Sequence, residues 1–164
     1  VSESLRNALA NAISVLPTGV KNDLGVHFLA TREGLRVSGS DGYTFVTQLV
    51  SVDVVPGTEV HVPKTVLKTL PKDFELPDLM ALLESDGCPP ASHTFTTLIN
   101  MATDPLGGEA RTEFSWAPDR VKKIGMLKPA GLPIQCVHDS NEHVDYVRFT
   151  YGDVQGVFTL LEDS

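Results

Sequence analysis

Residues 25–55 read GVHFLATREGLRVSGSDGYTFVTQLVSVDVV. Three runs, Gly25 to Thr31, Leu35 to Ser40 and Tyr43 to Val50 continuing through Val52 to Val55, are rich in Val, Leu, Phe and Thr. Glu33-Gly34 and Asp41-Gly42 separate them, and Pro56-Gly57 follows. Branched and aromatic side chains suit a pleated surface, and Gly supplies the backbone freedom that short turns need. The spacing predicts an antiparallel meander, closed by a further short strand from Thr58 to Val62.

Before the meander, Leu5, Ala8, Leu9, Ala12, Ile13 and Leu16 recur at three- and four-residue steps. They mark one face of an amphipathic helix over Ser2 to Leu16, ended by Pro17 and Gly19. After it, Pro63 stands where a first helical turn tolerates a missing N–H, and the helix it opens runs to Leu70 before Pro71. Pro77 to Ser85 reads as a short acidic helix with Leu79, Leu82 and Leu83 inward. His93 to Asn100 and Arg111 to Trp116 read as strands, with Trp116 in the core. A third helix is expected over Ala117 to Lys128, between Pro118 and Pro129. Strands near Leu132 to His138, Val144 to Tyr151 and Gln155 to Leu161 complete the chain, with turns at Asp139-Ser140-Asn141 and Gly152-Asp153. Pro63 to Lys68 and Pro118 to Lys123 share the form Pro-x-x-Val-x-Lys, each entering a helix after a strand. Two readings stand: one start rule obeyed twice by chance, or a duplicated unit.

The 164 residues carry 13 Lys and Arg against 21 Asp and Glu, a net charge of -8 that excludes coating nucleic acid through bulk charge. The charge is segregated, however. Stretches 3–15, 64–72 and 117–128 hold Arg6, Lys64, Lys68, Lys72, Arg120, Lys122, Lys123 and Lys128, eight of the 13 basic residues, against Glu3 and Asp119 alone. One reading is ordinary solvated helix exteriors above acidic turns. The other is a wall of helices offered to phosphates, which gives salt-sensitive attraction without sequence preference. No finger, basic zipper or aromatic RNA-binding signature accompanies it.

No apolar run reaches the roughly 18 to 20 residues that span a bilayer. Val1 to Ala10 lacks a basic region followed by an apolar stretch, so no export signal is read there. The two cysteines, Cys88 and Cys136, are then expected as reduced thiols in the cytoplasm. Hydrolase, phosphate-loop, zinc-protease and dinucleotide signatures are missing, and no enzymatic activity or cofactor is expected. The best enzyme-like cluster is Cys136, His138, Asp139, Glu142 and His143. Alternation along a strand puts Cys136 and His138 on one side, with His143 across the turn, so metal ligation competes with a plain polar hairpin tip, which is the preferred reading. His27, His61 and His93 read as isolated strand residues.

Taken in order, the first helix, Gly25 to Ala30, Gly34 to Tyr43 with its Gly39-Ser40-Asp41, the long strand, the Pro-Gly turn, and Val62-Pro63 opening a helix that ends at Leu70-Pro71 resemble a domain of the bacterial DNA polymerase III beta sliding clamp family. Ser40 takes the place of the family's usual Thr. Phe114-Ser115-Trp116 through Leu127-Lys128, Ile134 to Val137, Asp139-Ser140 and Val144 to Leu161 are similar to the last helix and strands of the clamp's final domain.

The resemblance implies an α+β, DNA-clamp-like fold with an antiparallel sheet and helices on one face. It implies one clamp-like domain over 1–164, with 1–72 and 114–164 matched and 73–113 a poorly matched insertion. In that family the domains close into a ring whose helices line the hole around DNA. Lys64, Lys68, Arg120, Lys122, Lys123 and Lys128, with Arg6, are thereby the expected duplex-DNA contacts. Self-association into a ring or dimer, replication proteins as partners and a part in DNA replication follow as expectations. Clamp chains are usually more than twice this length, so a ring of single domains takes about six copies. The family's partner pocket depends on a C-terminal Met-Pro-Met type ending, where this chain reads Phe158-Thr159-Leu160-Leu161-Glu162. The alternative role is a clamp-fold sensor or protein-interaction module that no longer encircles DNA.

Overall fold

The computed structural model describes residues 3–16, 25–40, 44–71, 73–84, 99–100, 102–103, 109–111, 127–128, 131–132, 134–140 and 145–159. Eight strands form one sheet: β1 Gly25–Thr31, β2 Gly34–Ser40, β3 Thr44–Val50, β4 Glu59–Pro63, β5 Glu109–Arg111, β6 Ile134–Ser140, β7 Asp145–Tyr151 and β8 Val154–Thr159. Their order is β4-β1-β2-β3-β8-β7-β6-β5, and every pairing is antiparallel. Among the described residues the helices are α1 Glu3–Ser14, α2 Lys64–Leu67 and α3 Leu76–Leu83, and residues 99–100 and 102–103 are helical as well.

The order has an internal symmetry. β1-β2-β3 and β6-β7-β8 are both meanders, they meet through β3 and β8, and each gains a fourth strand, β4 or β5, on its outer side. Of these two outer strands, β4 ends on Pro63 and β5 comes before Pro118 in the chain. The Pro-x-x-Val-x-Lys echo therefore follows equivalent strands of the two halves, although residues 118–123 lie outside the described residues.

One face of the sheet carries α1, α2 and α3. Leu5, Ala8, Leu9, Ala12 and Leu16 pack in one buried cluster with Val26, Phe28 and Ala30 of β1, Leu35 and Val37 of β2, Val50 of β3 and Val62 of β4. Leu67 of α2, Phe74, and Leu79 and Leu83 of α3 join the same cluster, so all three helices share that face. Each Val, Leu or Phe side chain among them contributes about 1.5–3 kcal/mol when fully buried. Farther along the same face, Val46, Val147, Phe149, Tyr151, Val154 and Phe158 form a second cluster with Val15 and Leu127. Close approach is built in where α1 crosses β2, because a Cβ on Gly39 would overlap the carbonyl of Ala12. The N–H groups at the exposed α3 N-terminus are met by a reciprocal capping box between Glu75 and Asp78.

The other face is polar at its centre. Register aligns His61, His27, Ser38, Thr47, Gln155, Thr150 and Gln135 in one row across seven strands. Next to it Phe45 and Val157 are covered by Ile99 and Ala102, both in helical conformation.

Several boundaries differ from the sequence reading. Helix α2 is one turn, Lys64–Leu67, and continues to Leu70 only as turn, since its closing bonds are short-range: Thr69 N–H to the Val66 carbonyl and Leu70 N–H to the Leu67 carbonyl. Residues 51–55 leave the sheet after β3. Ile99 and Asn100, expected at the end of a strand, are helical, because Ile99 packs onto Phe45 and Val157 instead of extending. Leu127 and Lys128 form a bend, and β6 runs through Asp139 and Ser140, which were expected to turn. The remaining residues 93–98, 112–116 and 117–126, including Trp116, lie outside the described residues.

Candidate nucleic-acid interface

The candidate interface is the helix-bearing face. Apolar spacing fixes α1 with Leu5, Ala8, Leu9 and Ala12 against the sheet, which leaves Arg6 exposed. Its guanidinium lies 5.9 Å from the ring centroid of Phe74, a cation–π distance that ties α1 to the junction between α2 and α3. Anchored by Leu67, α2 holds Lys64 half-buried and Lys68 exposed. Arg6, Lys64 and Lys68 thus stand on helices packed into one core.

Lys128 is exposed, while its backbone is held by Asn11: Oδ1 accepts from the Lys128 N–H at 2.7 Å and Nδ2 donates to its carbonyl at 2.9 Å. Asn11 is 2% exposed and also donates to Gln48 Oε1 at 3.4 Å. This polar seam joins α1, β3 and the Lys128 segment between the two apolar clusters. Nothing in the periodicity of α1 distinguishes Asn11 from a core position, so sequence reading passed over it. Arg120, Lys122 and Lys123 lie outside the described residues.

The same face also carries acid. Glu75, Asp78 and Glu84 are exposed on or beside α3, and residues 73–110 contain no Lys or Arg. The helical face is therefore mixed: Glu3 and Arg6 balance on α1, Lys64 and Lys68 make the α2 turn basic, and α3 is acidic.

A second constellation lies on the opposite face. His27 is 0% exposed, and its Nε2 lies 2.9 Å from Glu59 Oε2. A carboxylate only accepts, so the neutral imidazole carries its proton on Nε2. Burial lowers the His27 pKa, the bond and charge of Glu59 oppose that, and His61 lowers it further. His27 and His61 are direct cross-strand partners, which corrects their reading as isolated residues. Beside them Thr47 Oγ1 accepts from Ser38 Oγ at 2.8 Å and from Arg36 Nη1 at 3.1 Å. Burial lowers the Arg36 pKa, opposed by the charge of Glu33.

Of the enzyme-like cluster, Cys136, His138 and Asp139 fall on β6, whereas Glu142 and His143 lie outside the described residues. Among the described residues no group of three His, Cys, Asp or Glu is placed to hold a metal ion. No helix of the described residues is long and apolar enough to cross a membrane.

Solved structures with this arrangement are DNA polymerase sliding clamps. The clamp from Pseudomonas aeruginosa aligns with 98% of this chain and 63% of its own at a TM-score of 0.56 and 13% identity. The clamp from Bacillus subtilis aligns with 96% of this chain and 62% of its own, at 0.55 and 10% identity. The DNA polymerase III beta subunit from Thermotoga maritima gives 97% and 62%, at 0.55 and 13% identity. The fold is the sliding-clamp fold. The match spans a little under two thirds of those clamps. No protein-family model and no curated protein sequence matches the chain. Within the clamp fold, α1, α2 and α3 occupy one side of an antiparallel sheet, the layering expected from the sequence.

Proposed function

We propose that the chain is a non-enzymatic, sliding-clamp-like protein that lies along or encircles duplex DNA without sequence preference and supports DNA replication in the cytoplasm. The observation that carries this reading is the placement of Arg6 on α1, Lys64 on α2 and Lys68 at the α2 C-cap, two helices packed on one face of a clamp-fold sheet. Lys128 extends the set, and Arg120, Lys122 and Lys123 complete it. Phosphate contacts by these residues release counterions, so affinity falls steeply with salt and is indifferent to sequence. The net charge of -8 disfavours binding through the remaining surface. Self-association into a ring or dimer turns weak contacts from each copy into a lasting topological hold, and replication proteins are the partners such a ring serves.

The test is binding to a short linear duplex by fluorescence anisotropy at low and moderate salt. Wild type binds, more weakly as salt rises, and charge reversal of Lys122 and Lys123 to Glu abolishes binding. Unchanged binding in that variant sinks the assignment.

The acidic exposed side of α3 favours a second reading, a clamp-fold protein-interaction module that no longer encircles DNA. Mass measurement in solution separates the two: a closed oligomer supports the clamp, and a monomer at high concentration supports the module.

A further inference from the structure

Strand β4 is the outermost strand on its side of the sheet, and among the described strands it pairs with β1 alone. It is also the less buried partner. Glu59, Val60, His61 and Pro63 are half-buried and only Val62 is buried, whereas β1 is buried at Gly25 through Phe28. Pro63 offers no N–H to the ladder. Edge elements with few buried apolar contacts open at lower free energy than the centre of a sheet. Beside buried Val62 and half-buried Val60, which pack on the apolar cluster, what holds β4 is polar: the Glu59 carboxylate on the fully buried imidazole of His27, with His61 directly opposite that imidazole.

We propose that β4, with the α2 turn that follows it, is a proton-triggered latch: the neutral, buried His27 bonded to Glu59 keeps the strand docked on β1, and acidification releases it while the β1-β2-β3 meander stays folded. On this face of β1, β2 and β4 the charged or titratable groups are His27, Glu59, His61 and Arg36, and the Arg36 guanidinium is engaged by Thr47. Protonating His27 in place puts charge into a site without water access, directly opposite the imidazole of His61. Glu59 offsets part of that cost. It is 34% exposed, so the path from His27 to water runs past β4. Releasing β4 solvates His27 and separates it from His61.

The linkage has a definite sign. Burial holds the His27 pKa below its ordinary value, with Glu59 opposing and His61 reinforcing. Between about 6.5, the value of a solvated His, and the lower docked value, the released state binds more protons, so falling pH favours release. The idea does not depend on DNA binding, although the released segment carries Lys64 and Lys68.

Amide hydrogen exchange on the full chain at pH 7.5 and 5.5 tests it. The expected result is a fall of about tenfold in the protection factors of β4 amides, the factor by which one solvated imidazole gains protons over that interval. Amides of β2 and β3 keep their protection. His27→Gln removes the pH dependence of β4, and Glu59→Gln, lacking the opposing charge, lowers the docked His27 pKa further, so its drop starts at the same pH as in wild type and levels off at lower pH. The latch is overturned by flat β4 protection in wild type, by loss in step with β2 and β3, or by an unchanged drop in His27→Gln. Should His27→Gln not fold, Glu59→Gln decides alone, and a drop that levels off at the same pH as wild type's overturns the proposal.

Discussion

The side-chain amide of Asn11 holds both backbone polar groups of Lys128, a residue 117 positions farther along the chain. The fold joins its first helix to its second half through this clasp. Removing it in Asn11→Ala leaves a buried pocket and two backbone groups without their partner, at a cost of about 2–4 kcal/mol. Urea unfolding should show a lower midpoint of that size. Asn11→Asp sharpens the test, because an ionised carboxylate faces the Lys128 carbonyl and Gln48 Oε1. Its folded pKa is then raised, the folded state holds the extra proton, and the variant should regain stability as pH falls from 7 to 5. A deficit independent of pH in that variant contradicts the assigned geometry.

Gly39 sets how closely α1 approaches the sheet. Gly39→Ala drives a methyl group into the Ala12 carbonyl, so α1 must lift from β2 or bend. Overpacking of this kind costs about 1–3 kcal/mol. Hydrogen exchange should locate the effect, with α1 amides losing protection before those of β7 and β8. Protection lost evenly across the sheet would assign Gly39 a different role.

The meander was legible because Glu33-Gly34 and Asp41-Gly42 punctuate it, and α1 because six apolar residues keep its period. Long-range pairings were not. Nothing local joins β1 to β4 or β3 to β8, and without those registers His27, Glu59 and His61 look unrelated. Two-sided burial also erased alternation: β3 is buried at six of its seven positions, so no polar face announces itself. Ile99 shows the limit from the other direction. Its surroundings in sequence favour a strand, yet contact with Phe45 and Val157 accompanies a helical backbone. Charge segregation was readable from counting alone, and its placement on a shared face for α1 and α2 needed the sheet. The acidic exposure of α3 on that same face was not foreseen as a neighbour of the basic helices.

Thr47 is the polar centre of the opposite face. Its Oγ1 accepts from Ser38 and from Arg36, and Ser38 and Thr47 are 0% and 1% exposed. Thr47→Val keeps the shape and strands a buried hydroxyl, for about 1–3 kcal/mol. Adding Ser38→Ala removes the stranded group, so the double variant should lose less than the two single losses together, by at least about 0.5 kcal/mol. A thermodynamic cycle from denaturant curves measures this coupling. Strict additivity would mean that the hydroxyls do not interact.

Salt dependence offers the sharpest reading of the proposed DNA face, because it counts phosphates. Each neutralised phosphate contributes about 0.9 to the slope of log affinity against log salt on duplex DNA. Lys68 is exposed and free to reach a phosphate, so Lys68→Ala should lower the slope by about one unit, equally for any sequence. Lys64 is half-buried and should contribute less. Arg6 differs again. Its guanidinium is shared with the Phe74 ring, so Arg6→Ala should reduce stability by about 0.5–1 kcal/mol as well as weakening DNA binding. Titrations at four salt concentrations give the slopes, and two unrelated duplexes give the sequence test. A slope unmoved by Lys68→Ala, in a protein that does bind DNA, would take α2 off the interface and leave any contact to the stretch around Arg120, Lys122 and Lys123.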